Sequence, residues 1–291
     1  MKIGYIGLGL MGTPCVKNLI KAGYETHVWA RRPEAIAPLV EEGAVAAASI
    51  VELAQEVDIL FTNVSNTSDV EEVLLGDKGV HLSQKRGLIV IDMSTISATA
   101  TRSMAARLAM QGIDLVDAPV SGGTAGAQAG TLTIMVGASE TIFDTVKPVL
   151  SALGTTITRV GECGSGQVAK SCNQIIITGT IAAVSEAFKF ANSMGVDLGL
   201  VREALLGGFA GSRILEMHAM RMINNDYAPG FKAVLHKKDM GIVSDIAKEL
   251  QLAMPVTKEG ISLLDKTVNA GFGEEDSSAM FEVIKKLPPE S

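Results

Sequence analysis

Short apolar runs alternate with helix-period stretches over the first half of the chain. Residues 3–7, 26–30, 59–63, 88–92, 113–117, 132–136 and 156–160 read as strands. Between them, 14–22, 33–42, 96–111 and 140–153 read as helices, the first three closed by a glycine, and Ser49 with Glu52 marks the start of a shorter one. Strands that are apolar throughout, separated by helices, predict a mostly parallel sheet covered on both faces. After Gly164 only the helical period remains. Residues 167–194, 198–206, 212–224, 231–250, 255–270 and 277–286 read as helices, with no strand signal. The pattern therefore predicts an α/β domain over residues 1–163 and an all-helical domain over 164–291.

The first strand runs into Gly7-Leu8-Gly9-Leu10-Met11-Gly12, a G-x-G-x-x-G turn that opens a helix. In that setting the first glycine permits the tight turn, the second admits a pyrophosphate to the backbone, and the third lets helix and strand pack closely. The helix N-terminus supplies N–H groups and a positive dipole to the anion. NAD-selective versions carry an acid about 20 residues on, which grips the ribose diol. Here that slot is Ala30, followed by Arg31 and Arg32. No carboxylate repels a 2′-phosphate, and two guanidinium groups can bond one. The reading is NADP, with NAD as the alternative; two solvated surface arginines are the plainer account of the same residues.

Composition narrows the classes. The 291 residues carry 25 basic and 32 acidic side chains, a net charge of −7, and aromatics are only 4%. Both features argue against a nucleic-acid partner, which needs phosphate neutralisation and stacking surfaces. An apolar share of 47% excludes a disordered chain. No run of 18 apolar residues suggests a membrane span, and the glycine-broken start reads as a buried strand rather than a leader. Cys15, Cys163 and Cys172 read as reduced core thiols of a cytoplasmic protein. His27, His81, His218 and His236 are scattered and suggest no metal site.

Two further segments carry candidate chemistry. Asp117-Ala118-Pro119-Val120-Ser121-Gly122-Gly123 follows a strand, and its Ser-Gly-Gly offers successive N–H groups and a hydroxyl to a small carboxylate. An ordinary loop explains it equally well, extended by Gly126 and Gly130 into a flexible one. Lys170 lies early in the long helix, with Asn173 and Gln174 on the same face. Such a lysine can donate to a carbonyl oxygen; on spacing alone a solvated lysine is the more ordinary reading.

Taken together, these residues resemble the β-hydroxyacid dehydrogenases over essentially the whole chain. The resemblance rests on the glycine turn, on Asp117 to Gly123, on Gly166-Gln167-Val168-Ala169-Lys170 with Asn173, and on Lys238-Asp239. It implies an N-terminal Rossmann-type dinucleotide-binding domain and an all-α C-terminal domain joined by a long helix. It implies hydride transfer between NAD(P)H and a small semialdehyde acid or hydroxy acid, with Lys170 catalytic. Ser121, Gly122, Gly123 and Asn173 fall on substrate positions. Thr95 matches a cofactor contact, Lys238 another near the nicotinamide, and Val64 a third. Val64 lies in Asn63-Val64-Ser65-Asn66, where the family's turn carries a proline. The resemblance also implies a homodimer or homotetramer. Within the family, Asn173-Gln174 and the segment Gly207 to Ser212 look most like members that reduce tartronate semialdehyde. Glyoxylate or succinic semialdehyde reduction and 3-hydroxyisobutyrate oxidation are the alternatives. Imine reductases share the two-domain plan but usually lack this lysine; a non-catalytic NADP(H)-binding protein is the alternative of another class.

Overall fold

The structure, a computed structural model, describes residues 1–288, so the last three residues of the predicted helical half lie outside it. The chain forms two compact units, Met1–Lys170 and Ser171–Ser291.

In the first unit, strands and helices alternate as β1 (Lys2–Ile6), α1 (Gly12–Lys21), β2 (Glu25–Trp29), α2 (Ala37–Glu41), β3 (Val45–Ala46), α3 (Ile50–Glu56), β4 (Ile59–Thr62), α4 (Thr67–Leu75), β5 (Ile89–Asp92), α5 (Ala98–Ala109) and β6 (Asp114–Asp117). There follow β7 (Val120–Ser121), α6 (Gly123–Ala129), β8 (Leu132–Gly137), α7 (Glu140–Leu150) and β9 (Gly154–Gly161). The strand order is β3-β2-β1-β4-β5-β6-β8-β7, with β9 also paired to β8. All pairs through β6 are parallel, as is β8 with β9; β8 runs antiparallel to β6 and β7. Alternate strand residues enter different cores. Ile3, Tyr5, Ile59, Phe61 and Ile91 pack with α1 on one face. Ile6, Leu60 and Val90 pack with α3, α4 and α5 on the other. Burial on both faces is why these strands read as unbroken apolar runs.

The long helix α8 (Ser165–Ser193) begins in the first unit and ends in the second, followed by α9 (Leu198–Leu206), α10 (Arg213–Asn224), α11 (Ala233–Glu249), α12 (Pro255–Thr267) and α13 (Met280–Lys286). Ile181, Val184 and Phe188 of α8 pack in one core with Leu215, Ala219, Met240, Leu264 and Phe281. Phe188 meets Phe281 edge-on, with ring centroids 6.1 Å apart. Buried Asp276 accepts from the N–H groups of Gly230, Phe231 and Ser278, which pins the segment entering α11 to the one entering α13.

Several expectations need correction. Residues 33–42 do not form one helix: a 3₁₀ turn Pro33–Ala35 precedes α2, because Pro38 has no N–H to continue a helix begun at Pro33. The stretch expected to be a flexible loop after Ser121 is α6. Gly126 lies against Leu132, where a Cβ would sit 3.2 Å from Cδ2, and Asn18 donates to Ala127 O at 2.8 Å. Helix α4 is not signalled by the apolar period; Asn66 caps it, accepting from Asp69 N at 2.8 Å. The helix expected over 255–270 stops at Thr267 and gives way to a wide turn, Val268–Phe272, with Gly271 at φ 96°. Of the three thiols, all free, only Cys15 is a core residue; Cys163 is half-buried and Cys172 is exposed.

Candidate functional site

Strands β1, β4, β5 and β6 end level with one another, since Ile6 pairs with Thr62, Thr62 with Asp92, and Asp92 with Asp117. The residues that follow each strand therefore gather along one edge of the sheet. The strand order reverses direction at β1, flanked by β2 and β4, and ligands of open α/β sheets bind at such a switch point.

At that point the three glycines of the first turn have different neighbours. Gly7 has φ 103°, and a Cβ there would collide with Asn63 O. A Cβ at Gly12 would collide with Gly7 O, so that glycine is required by packing. Gly9 has no protein atom within 4 Å of its would-be Cβ. Its bare backbone faces open space, as close approach of a pyrophosphate requires. Helix α1 begins at Gly12 with no side-chain cap, so its first N–H groups and dipole suit an anion. These features fit a dinucleotide. Leu8 is buried, Leu10 exposed and Met11 half-buried. Arg31 and Arg32 follow β2, whose last residue pairs with Ile6, so they lie beside the same turn. Both are exposed, with Arg31 Nη1 3.7 Å from Asp69 Oδ1.

A buried polar network ties the neighbouring strand ends together. Asp92 accepts from Thr62 Oγ1 at 2.9 Å and from Ser94 N at 3.2 Å. Ser94 Oγ accepts from Val64 N at 2.9 Å, which fixes Val64 and Thr95 on adjoining loops. Burial pushes the Asp92 carboxyl up to about 6, against the bonds from Ser94 and Thr62 that favour its charged form. Asp117 accepts from Gly164 N at 2.6 Å and Gln167 N at 2.8 Å. Burial raises its pKa too, opposed by those two N–H groups. Burial, and next the Asp117 charge, push the Cys163 thiol to about 12, so it stays a neutral thiol.

Lys170 lies in the second turn of α8 and is only 7% exposed. Its Nζ donates to Val120 O at 2.9 Å, beside Ser121. Gly122 has φ 131°, a conformation open to glycine, and it starts α6 without a side-chain cap. The structure thus gathers the glycine turn, Arg31, Arg32, Val64, Thr95, Ser121, Gly122, Gly123 and Lys170 in the first unit. Asn173 and Lys238 belong to the second, joined by a relay. Asn173 Nδ2 donates to Gln174 Oε1 at 2.8 Å, Gln174 Nε2 to Asp239 Oδ2 at 2.8 Å, and Asp239 Oδ1 lies 2.9 Å from Lys238 Nζ. Sequence reasoning gave no role to Gln167, Gln174, Asp92 or Asp239. An apolar strand ending in an acid was the available signal for Asp92.

A buried lysine beside the Ser121-Gly122-Gly123 backbone, in the same unit as a dinucleotide turn, fits a nicotinamide-dependent oxidoreductase acting on a carbonyl or alcohol. Comparison with known proteins gives the family. Residues 2–161 match the NAD-binding domain of 6-phosphogluconate dehydrogenase, and 164–284 the NAD-binding region of NADP-dependent 3-hydroxyisobutyrate dehydrogenase. The chain is 44% identical over 287 residues to the 2-hydroxy-3-oxopropionate reductase of Escherichia coli, covering 99% of this chain and 98% of that one. It is 38% identical to the 2-(hydroxymethyl)glutarate dehydrogenase of Eubacterium barkeri, covering 99% and 96%. A 3-hydroxyisobutyrate dehydrogenase from Mycobacterium tuberculosis, solved with L-serine, superposes with a TM-score of 0.91 at 28% identity, covering 98% and 99%. The chain belongs to the β-hydroxyacid dehydrogenase family, the NAD(P)-dependent enzymes related to 3-hydroxyisobutyrate dehydrogenase, which act on the CH–OH group of their donors. No helix among the described residues is long and apolar enough to cross a membrane.

Proposed function

We propose that this enzyme reduces tartronate semialdehyde (2-hydroxy-3-oxopropionate) to glycerate, using NADPH. The observation that carries the reaction type is the buried Lys170 side chain, its Nζ 2.9 Å from Val120 O, next to Ser121-Gly122-Gly123. The 44% identity to a 2-hydroxy-3-oxopropionate reductase supports the substrate. Ser121 and the N–H groups of Gly122 and Gly123 hold the substrate carboxylate. Gly7, Leu8, Gly9, Leu10, Met11 and Gly12 cradle the cofactor pyrophosphate; Arg31 and Arg32 bond the 2′-phosphate, which selects NADPH over NADH. Val64, Thr95 and Lys238 contact the cofactor, and Asn173 orients the substrate.

The bound cofactor supplies a hydride to the carbonyl carbon. Negative charge then grows on the oxygen, and Lys170 stabilises it and gives up one proton to it. The lysine regains that proton from solvent, and the product leaves as the hydroxy acid. In the reverse direction a neutral Lys170 takes the alcohol proton. We place the domain limits at 1–163 and 164–291, a reading supported by family matches over 2–161 and 164–284. A cytoplasmic homodimer or homotetramer completes the reading.

The test is NADPH consumption with tartronate semialdehyde, succinic semialdehyde, glyoxylate and methylmalonate semialdehyde, with Lys170→Ala alongside. We expect tartronate semialdehyde to give the highest kcat/KM and the variant to lose about 10²–10⁴ in kcat with NADPH binding unchanged. Retained turnover in the variant removes Lys170 from the mechanism; a different best aldehyde replaces the substrate.

A further inference from the structure

Gln167 is the most occupied side chain around the site that no part of the chemistry uses. It is 1% exposed in the first turn of α8. Both ends of its amide are bonded: Nε2 donates to Ser94 O at 2.7 Å, and Oε1 accepts from Ile96 N at 3.1 Å. Those two groups flank Thr95, so one side chain grips the loop on either side of it. The backbone of Gln167 is held as well, its N–H bonded to Asp117 at 2.8 Å. Lys170 follows three residues on, about one helical turn away. The loop after β5 and the lysine-bearing turn of α8 are therefore fastened to each other through one residue. Ser94, bonded to Val64 N, extends the same fastening to the loop after β4.

We propose that Gln167 is a positioning residue: by clamping Ser94 and Ile96 to the start of α8, it sets where Lys170 Nζ stands relative to the loop that carries Thr95. This rests on the reading of Lys170 as the proton donor. Hydride and proton transfer tolerate little misplacement, and a 1 Å error far from the chemistry can cost about 10²-fold. A core glutamine with only a packing role would change stability and leave the chemical step alone.

Two substitutions separate these cases. Gln167→Met keeps the length and fills the space but makes neither amide bond. Its kcat should fall about 10- to 100-fold, with KM for the aldehyde within about threefold and a larger isotope effect with deuterated NADPH. Gln167→Glu carries a built-in rescue. When protonated, its carboxyl donates to Ser94 O and accepts from Ile96 N, as the amide does; when ionised, it faces Ser94 O with a like partial charge. The ratio of Gln167→Glu to wild-type kcat should therefore rise as pH falls. Asp92, Asp117, Cys163 and Lys170, titratable groups around this clamp, are present in both proteins, so the ratio reports residue 167 together with any shift its charge imposes on them. The Glu variant also keeps the question open if the Met variant fails to fold. A folded Gln167→Met with kcat within about threefold of wild type, or a Gln167→Glu ratio that stays constant across the pH range in which infrared shows the added carboxyl taking up its proton, overturns the proposal while leaving a lysine-dependent wild type intact. If the wild type itself shows no Lys170-dependent turnover, the function proposed above fails instead. Deuterium exchange over residues 94–97 then decides the clamp: faster exchange and weaker NADPH binding in Gln167→Met support it, and unchanged exchange overturns it.

Discussion

Ala30 stands where an NAD-selective fold of this type places a carboxylate, and two exposed arginines follow it at the same sheet edge. A charged hydrogen bond contributes about 1.5–3 kcal/mol, so losing both guanidinium groups should be read at the 2′-phosphate and nowhere else. Arg31→Ala with Arg32→Ala should raise KM for NADPH about 10²- to 10⁴-fold and change that for NADH little. Equal changes for the two nucleotides would contradict the phosphate assignment. The Arg31–Asp69 approach, at 3.7 Å with Arg31 largely in solvent, is too weak to hold Arg31 away from a phosphate. The place of such residues in the fold was legible because motif spacing fixes them relative to a strand end. Lys170 was less so. Spacing put it at a helix start, where lysines are ordinarily solvated; its burial against Val120 O is a fact of long-range packing. Gln167 stood in the motif behind the family resemblance but with no role of its own, since an amide in a helix becomes informative only when both its bonds are seen.

Strands β5 and β6 each end in a buried acid, Asp92 and Asp117, paired in register. Asp92 has a folded pKa of about 6 against an ordinary 3.8. The unfolded chain therefore releases this proton first as pH rises. Stability falls between about pH 4 and 6, and the loss persists above that range. Asp92→Asn removes the titration while keeping an acceptor for Thr62 and Ser94. From pH 4 to 7 the stability difference should move in the variant's favour by up to about 3 kcal/mol. Urea midpoints of both proteins across that range measure it, and a pH-independent difference would rule out the shifted carboxyl. At this scale the sequence was legible where burial is two-sided, as in β1, β4 and β5, whose unbroken apolar runs announce themselves. It was not legible in α6, whose Gly-Thr-Ala-Gly-Ala-Gln-Ala has few large apolar residues and becomes helical against Leu132 and Asn18. Nor was it in α4, where an asparagine cap rather than periodicity starts the helix.

At the scale of the molecule, the change from alternating elements to helices alone was readable because it is a change of period, carried by many residues. The hub at Asp276 was not, since its four acceptor bonds join residues 230–231 to residue 278. If the first unit holds the cofactor, ligand linkage gives a measurable consequence. NADPH at a hundred times its Kd should stabilise that unit by about 2.7 kcal/mol, seen as a rise in the midpoint of thermal unfolding that NADH at the same concentration does not match. No rise with either nucleotide would contradict the cofactor assignment. The glycine turn carries this reasoning into descent. Gly7 and Gly12 answer to the backbone around them, whereas Gly9 answers to empty space. A lineage that ceased to use the nucleotide would keep the first two for its fold alone and let the third wander. Gly9 is thus the position where a retired enzyme of this architecture first shows its retirement.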